Sequence, residues 1–181
     1  DFIRATDKST GELNNELVVL KSPYHSESWV IATNKKTLPE IKNIAVFKFY
    51  KIGVEIDTLP DAHLTSSFRG ALSSSIKHYK SIFDALQDLK DGKIDAVSGL
   101  KSQLQFGLNY LENKDKYYIS EKLRYVNSEW DLGVAVRTDF RALSYRIDGY
   151  MNDLHQDGTI KKIFDKYNIE YFRPLAHKDM Y

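Results

Sequence analysis

The side chains that could do chemistry in this 181-residue sequence are spread along the chain and form none of the common catalytic motifs. HExxH, GxSxG, GxxxxGK[ST] and a GxGxxG at a strand-to-helix turn are all absent. Asp91-Gly92-Lys93 contains the letters GK, but no glycine stands five positions before Gly92 and the next residue is Ile94. The sequence therefore predicts no nucleotide-binding loop and no catalytic residues of these classes.

The histidines and acidic residues suggest no metal or cofactor site. Histidines stand at positions 25, 63, 78, 155 and 177, never at the i, i+4 spacing of helical ligands, and we expect surface or loop positions for them. His25 and Ser26 are adjacent in an extended segment, so their side chains point to opposite sides and do not form a catalytic dyad. Asp57 and Asp61 flank a helix start, where capping and solvation explain them.

Composition excludes several classes of partner. The chain has 26 basic and 25 acidic residues, a net charge of +1, so no global field attracts nucleic acid. It has no cysteine, which leaves the compartment open, and no apolar run of the ~20 residues that membrane insertion needs. The first residues, 1–4, lack the basic flank and apolar core of a signal peptide.

Short β-branched and aromatic runs alternate with amphipathic helical patterns. The predicted strands or extended segments are residues 16–20, 28–33, 44–47, 52–54, 75–79, 94–100 and 132–136. The predicted helices run from Thr58 as N-cap to about Phe68, over 82–89 with Gly92 as terminator, over 143–154, and from about 160 to 167. This order predicts an α/β protein with a mostly parallel sheet.

In such folds, small ligands bind outside the carboxyl ends of the strands, where helix N-termini offer free N–H groups. The turn at residues 55–59 is the best candidate for such a site. Asp57 and Asp61 disfavour an anion there, so a neutral or cationic ligand, or no ligand, fits this turn better.

Several segments, in this order and spacing, resemble the later part of a type 2 periplasmic solute-binding protein of the extracellular family 3 kind. They are the stretch from residue 1 to residue 24, residues 28–31 and 52–54, LKDGKIDAV at 89–97, DLGVAVRTDFRAL at 131–143 and LHQDGTIKKIFDKYNI at 154–169. The resemblance implies two α/β lobes that close on a ligand, with residues 1–33 and 131–181 in a partial lobe one and 34–130 in lobe two. It also implies that roughly 60 residues or more of lobe one are missing before Asp1. We therefore expect either that the chain is a fragment or that the missing layer comes from elsewhere, through an N-terminal partner fragment, a swapped dimer or a rearranged lobe.

The resemblance also implies a cleft and a ligand class. Ligand-binding candidates are Tyr24, Ser26, Thr58, Leu100 and Trp130. Amino-acid-binding members carry an Arg in lobe one and an Asp shortly after the DAV strand; the matching positions here are residues 9–14, with no Arg, and Leu100. Their Gly-Thr turn in lobe two is Asp57-Thr58 here. The ligand is therefore expected not to be a free amino acid.

A narrower similarity is to the J proteins of methanol-oxidation operons (MxaJ and XoxJ). It rests on SPYHSESWVIAT at 22–33, KIGVEIDTLPDAHL at 51–64 and GKIDAV at 92–97, whereas their Trp-Gly-Pro is Leu100-Lys101-Ser102 here. It implies an accessory role beside a quinoprotein alcohol dehydrogenase.

Three functions follow from the resemblance. The first is a non-enzymatic periplasmic solute-binding protein for transport, partnered by a small ligand or an ABC permease, without a cofactor. The second is the accessory protein of a quinoprotein dehydrogenase, and the third is a dehydratase-like enzyme on the same scaffold.

Overall fold

The computed structural model describes residues 18–110, 114–121 and 128–174. The chain divides into two compact units, one formed by residues 1–27 with 129–181 (unit 1) and the other by residues 28–128 (unit 2). Each unit has its own α/β arrangement, and each is described separately below.

The sheet of unit 2 is mixed. Its strand order is β3-β2-β4-β1-β5, and the strands are β1 (Val18–Asn34, whose residues 28–34 belong to unit 2 and 18–27 to unit 1), β2 (Ile52–Glu55), β3 (Ile76–Tyr79), β4 (Ala96–Leu100) and β5 (Tyr117–Ile119). β2 is parallel to both β3 and β4, as the helical crossovers between them require. β1 runs antiparallel to β4 and to β5, so the expectation of a mostly parallel sheet holds only for the β2, β3 and β4 portion.

Three helices follow strands of this sheet: α1 (Leu59–Ser66), α2 (Ile82–Lys90) and α3 (Lys101–Asn109). The predicted apolar face of α2 is confirmed, since Ile82, Ala85, Leu86 and Leu89 are all buried in the core of unit 2. The Ser81 hydroxyl caps this helix by accepting a hydrogen bond from the Phe83 N–H. α3 was not predicted, because the segment 101–109 has few apolar residues and no side-chain cap.

The segment Ile44–Lys48 is a 3-10 helix and not the strand that its composition predicted. The Asn43 side chain accepts a hydrogen bond from the Ala45 N–H, which favours a helical turn over a strand, and only Phe47 is buried. The two strands predicted between residues 16 and 33 are one continuous strand, β1, within the described residues.

Unit 1 contains β6 (Glu129–Arg137), α4 (Arg141–Gln156) and α5 (Thr159–Lys166), and β6 pairs with β1. Both predicted helices are confirmed, and Gly158 separates them in a left-handed conformation with φ of +75°. The apolar face of α4 is less buried than its spacing predicted: Ser144 is the only buried residue in α4, and Leu143 is 49% exposed.

Replacement of Gly107 by alanine should destabilise unit 2, because α2 and α3 approach closely there. A Cβ on Gly107 would overlap Cδ1 of buried Leu86 and lie 3.4 Å from Cε1 of Phe83. The overpacking outweighs the higher helix propensity of alanine, and we expect a loss of about 1–2 kcal/mol in the free energy of unfolding, measured by urea denaturation.

Gly149→Ala is the matched control, because Gly149 is also helical and a Cβ there has no neighbour within 4 Å. We expect Gly149→Ala to gain up to about 1 kcal/mol from helix propensity alone. Equal effects of the two substitutions would contradict the close approach of α2 and α3.

Candidate functional site

Two of the five candidate residues lie at one edge of the sheet in unit 2. β2 and β4 are neighbouring parallel strands, with Val54 opposite Ser98, so their carboxyl ends meet at the same edge. The chain passes from β2 through Thr58 into α1, and from β4 through Leu100 directly into α3. Thr58 and Leu100 therefore both stand at helix N-termini, where backbone N–H groups and the helix dipole favour polar ligand groups.

Thr58 is the N-cap of α1, as predicted. Its Oγ1 accepts a hydrogen bond from the Asp61 N–H at 3.4 Å and donates one to the Glu55 carbonyl at 2.7 Å. Because its single hydroxyl hydrogen is used within its own turn, Thr58 can offer a ligand only a lone pair of Oγ1. The preceding residue, Asp57, adopts a left-handed conformation with φ of +60°.

The acidic residues of this turn differ in how they are paired. Asp61 accepts hydrogen bonds from the Asp57 N–H at 3.1 Å and from Thr65 Oγ1 at 3.1 Å, and it pairs with His78 Nε2 at 3.0 Å. Asp57 is exposed. The turn thus keeps a negative charge at the edge of the sheet, which disfavours a bound anion.

Leu100 gives the other side of this edge an apolar side chain. It occupies the N-cap position of α3 without a side-chain hydrogen bond, and it is directly opposite Trp29 in the antiparallel pair of β1 and β4. Directly opposed residues project to the same face, so Leu100 and Trp29 share one face of the sheet with Ser98, two residues earlier on β4.

Trp29, Ser98 and His63 form a polar–aromatic contact that sequence reasoning missed. The Trp29 indole N–H donates to Ser98 Oγ, and the His63 ring of α1 meets the indole edge-on at 4.8 Å between centroids. Trp29 is fully buried, and burial lowers the pKa of His63, which favours the neutral imidazole. The signal available in the sequence was the alternation that puts Ser98 and Leu100 on one face of a strand.

The other three candidates lie on β1 and β6 in unit 1. Tyr24 is partly buried, and burial, followed by the negative charge of Glu27, raises the pKa of its phenol. Ser26 is buried, and its backbone N–H donates to the Phe172 carbonyl at 2.9 Å. Trp130 is partly buried on β6.

Histidines 25 and 155 are structural in unit 1, which corrects the expectation of surface or loop positions. His25 is buried on β1, 4.4 Å from the Phe164 ring by centroids and 3.9 Å from the carboxylate of buried Glu27. His155 Nε2 lies 3.0 Å from the Pro23 carbonyl and its Nδ1 3.1 Å from the Tyr171 hydroxyl. A carbonyl only accepts, so the Nε2 atom of His155 carries a hydrogen, and in the neutral imidazole Nδ1 accepts from the Tyr171 hydroxyl.

The structure thus places Thr58 and Leu100 at one edge in unit 2, and Tyr24, Ser26 and Trp130 on the strands of unit 1. The counterparts of the amino-acid-binding Arg, at residues 9–14, lie outside the described residues. Across the described ranges, no three His, Asp or Glu side chains are grouped to hold a metal ion. None of the described helices has the length and apolarity to cross a bilayer.

Comparison with known proteins gives relatives in amino-acid transport. No family model matches the chain. The "ABC transporter arginine-binding protein 1" of Escherichia coli is 28% identical in an alignment of 158 residues that covers 83% of this chain and 59% of the relative. The chain therefore spans less than two thirds of the length of this relative.

Solved structures show the same architecture. An ancestral arginine-binding protein bound to arginine superposes with a TM-score of 0.64 and 25% identity, over 83% of this chain and 64% of the other. A Streptococcus pneumoniae amino acid ABC transporter substrate-binding protein bound to L-arginine gives a TM-score of 0.68 with 19% identity, over 94% and 67% of the two chains. The chain thus has a mixed α/β fold whose structural relatives are two-lobed periplasmic binding proteins.

Proposed function

We propose that the chain is a non-enzymatic, periplasmic solute-binding component of an ABC transporter. The similarity of its fold to substrate-binding proteins of ABC transporters, over 83% to 94% of the chain, carries the proposal. In this proposal units 1 and 2 take the roles of the two lobes. The lobes close because the ligand has a higher affinity for the closed state than for the open state. The ligand-binding residues of the proposal are Tyr24, Ser26, Thr58, Leu100 and Trp130.

The ligand of this proposal is a small uncharged polar solute rather than a free amino acid. The resemblance implies that amino-acid-binding members carry the Asp that takes the ammonium about where Leu100 stands here, and a leucine side chain cannot pair with a charge. On the other side of the edge, Asp57 and the paired Asp61 disfavour an anionic group. Thr58 Oγ1 and the helix N-termini suit hydroxyl or carbonyl groups of an uncharged ligand.

The names of the relatives favour arginine as the ligand. Calorimetry distinguishes a free amino acid from a small uncharged solute. We expect titration of the purified chain with L-arginine to give a dissociation constant weaker than about 1 mM, because each unmade charge-assisted hydrogen bond costs about 1.5–3 kcal/mol. A panel of monosaccharides, polyols and amides, screened by thermal shift, should contain a saturable ligand.

The outcomes separate the parts of this proposal. A micromolar dissociation constant for L-arginine would overturn the ligand class and keep the solute-binding function. The absence of saturable binding for both L-arginine and the panel, combined with dehydratase turnover, would replace solute binding by the enzyme alternative. The accessory role beside a quinoprotein dehydrogenase stays a prediction of the narrower resemblance, and co-purification with such an enzyme would support it.

A further inference from the structure

We propose that unit 2 carries a peripheral binding surface for anionic phospholipid, formed by Lys48, Phe49, Lys51, Phe68 and Arg69 and called here the amino-edge patch. Its two segments lie where the chain enters β2 and where it leaves α1. In a β-α-β unit these points are at the edge of the sheet opposite the carboxyl ends. The patch is therefore separate from the edge that carries Thr58 and Leu100.

The two phenylalanines of the amino-edge patch project into solvent. Phe49 is 85% exposed, the highest value among the large apolar side chains that the structure describes, and Phe68 is 47% exposed. Exposure of single apolar side chains is common, but two exposed phenylalanines joined to cations form a patch that suits an interface with a partner.

The backbone that displays Phe68 is unusual for its sequence. Phe68, Arg69 and Gly70 have φ values of +51°, +58° and +81°, so three consecutive residues are left-handed. This conformation is unfavourable for a bulky residue such as phenylalanine. Burial does not compensate for it, because Phe68 stays about half exposed, and such conformations are typical of functional segments.

The cations of the amino-edge patch are available to a partner. Lys48 Nζ lies 5.3 Å from the centroid of the Phe68 ring, which joins the two segments into one surface. Lys48, Lys51 and Arg69 form no ion pair with any residue in the described part of the chain. The two segments of the patch therefore carry three cations without an ion pair among the described residues, and Lys48 is in contact with the Phe68 ring.

The surrounding sequence keeps this surface positive although the whole chain has a net charge of only +1. Residues 41–54 and 62–83, which contain both segments, have no Asp or Glu. Of the neighbouring acids, Glu40 pairs with Lys42 at 3.6 Å, whereas Asp95 brings one negative charge to the Lys51 backbone N–H at 2.8 Å. The attraction for anionic groups is therefore confined to this surface and is not apparent from the net charge of the chain.

A lipid surface fits these features better than an acidic protein. A protein partner needs a matching pocket and typically about 1,000 Å² of buried surface, which is a larger area than the five side chains of the patch supply. A bilayer interface accepts projecting aromatic rings without a preformed pocket, and anionic headgroups neutralise lysine and arginine. The patch would hold unit 2 at a membrane surface without any segment crossing it.

Sedimentation with vesicles tests this proposal. At about 50 mM salt we expect the chain to bind vesicles with about 30 mol % phosphatidylglycerol roughly tenfold more strongly than phosphatidylcholine vesicles, and to dissociate at about 0.5 M salt. The double substitution Lys48→Gln/Phe49→Ser should weaken binding to the anionic vesicles by about tenfold, because it removes one cation and the most exposed ring.

The matched control is Lys80→Gln/Phe83→Ser, which removes the same residue types from exposed positions elsewhere in unit 2. It should bind anionic vesicles within about twofold of the unsubstituted chain, and thermal melts should show that both variants stay folded. Equal binding to anionic and neutral vesicles, equal losses in the two variants, or no vesicle binding at all would overturn the proposal. The last outcome would favour an acidic protein as the partner, and solute binding by calorimetry is independent of every outcome.

Discussion

Replacement of Trp29 by alanine is expected to lower the free energy of unfolding by about 3–5 kcal/mol. Trp29 is fully buried, pairs with Leu100 across β1 and β4, contacts His63 of α1 and donates its indole N–H to Ser98. Alanine would leave a large cavity beneath the edge that carries the candidate site. Urea denaturation followed by circular dichroism measures the loss.

Two further substitutions separate packing from hydrogen bonding at Trp29. Trp29→Phe keeps much of the ring but leaves the buried Ser98 hydroxyl without its donor, at a cost of about 1–3 kcal/mol, and Ser98→Ala in the same chain should recover part of it. We expect a coupling energy of at least about 0.5 kcal/mol between the two substitutions. Strictly additive effects of Trp29→Phe and Ser98→Ala would contradict this view of the core. A loss of stability for Trp130→Ala, at a partly buried position, as large as that for Trp29→Ala would also contradict it.

Leu100→Asp is expected to strengthen the binding of L-arginine by about tenfold to a hundredfold, as measured by calorimetry. The resemblance to amino-acid-binding members implies that the substitution adds a carboxylate about where those members hold the ligand ammonium, and a charge-assisted hydrogen bond contributes about 1.5–3 kcal/mol. The variant should stay folded, because Leu100 is partly exposed at an N-cap position, where aspartate is favoured over leucine. This prediction rests on the proposed solute-binding function.

Leu100→Asn is the control for this change. Asparagine has nearly the same shape as aspartate and caps a helix equally well, but it carries no charge. We expect its affinity for L-arginine to stay within about threefold of the unsubstituted chain, since a neutral amide gains little with an ammonium group. Equal gains for the two variants would show that capping, and not charge, governs the effect.

The periodic and capped elements could be predicted from the sequence. The face of α2, the Thr58 cap of α1 and the two helices of unit 1 depend on residues three to four positions apart, so local spacing predicts them. Leu100 at the end of a buried strand also followed from the sequence, because a strand and the helix after it are neighbours in the chain.

The tertiary structure decided what depends on residues far apart in the chain. Three features join segments that are far apart: the antiparallel pairs of β1, the burial of His25, and the contact between Trp29, Ser98 and His63. In most of these contacts, the two residues are separated by 34 positions or more in the chain. The 3-10 helix at Ile44–Lys48 is by contrast a local feature, because the Asn43 side chain two residues earlier accepts a hydrogen bond from the Ala45 N–H.

The sequence by itself thus determined the α/β class, the helices α1, α2, α4 and α5, and the apolar residue at the candidate ligand edge. Only the tertiary structure decided which polar groups are already engaged, as with Thr58 and Asp61, and which cations stay available, as in the amino-edge patch. The physical reason is that periodicity and capping act within one or two turns of chain, whereas hydrogen-bond satisfaction and charge pairing depend on which distant segments the fold brings together.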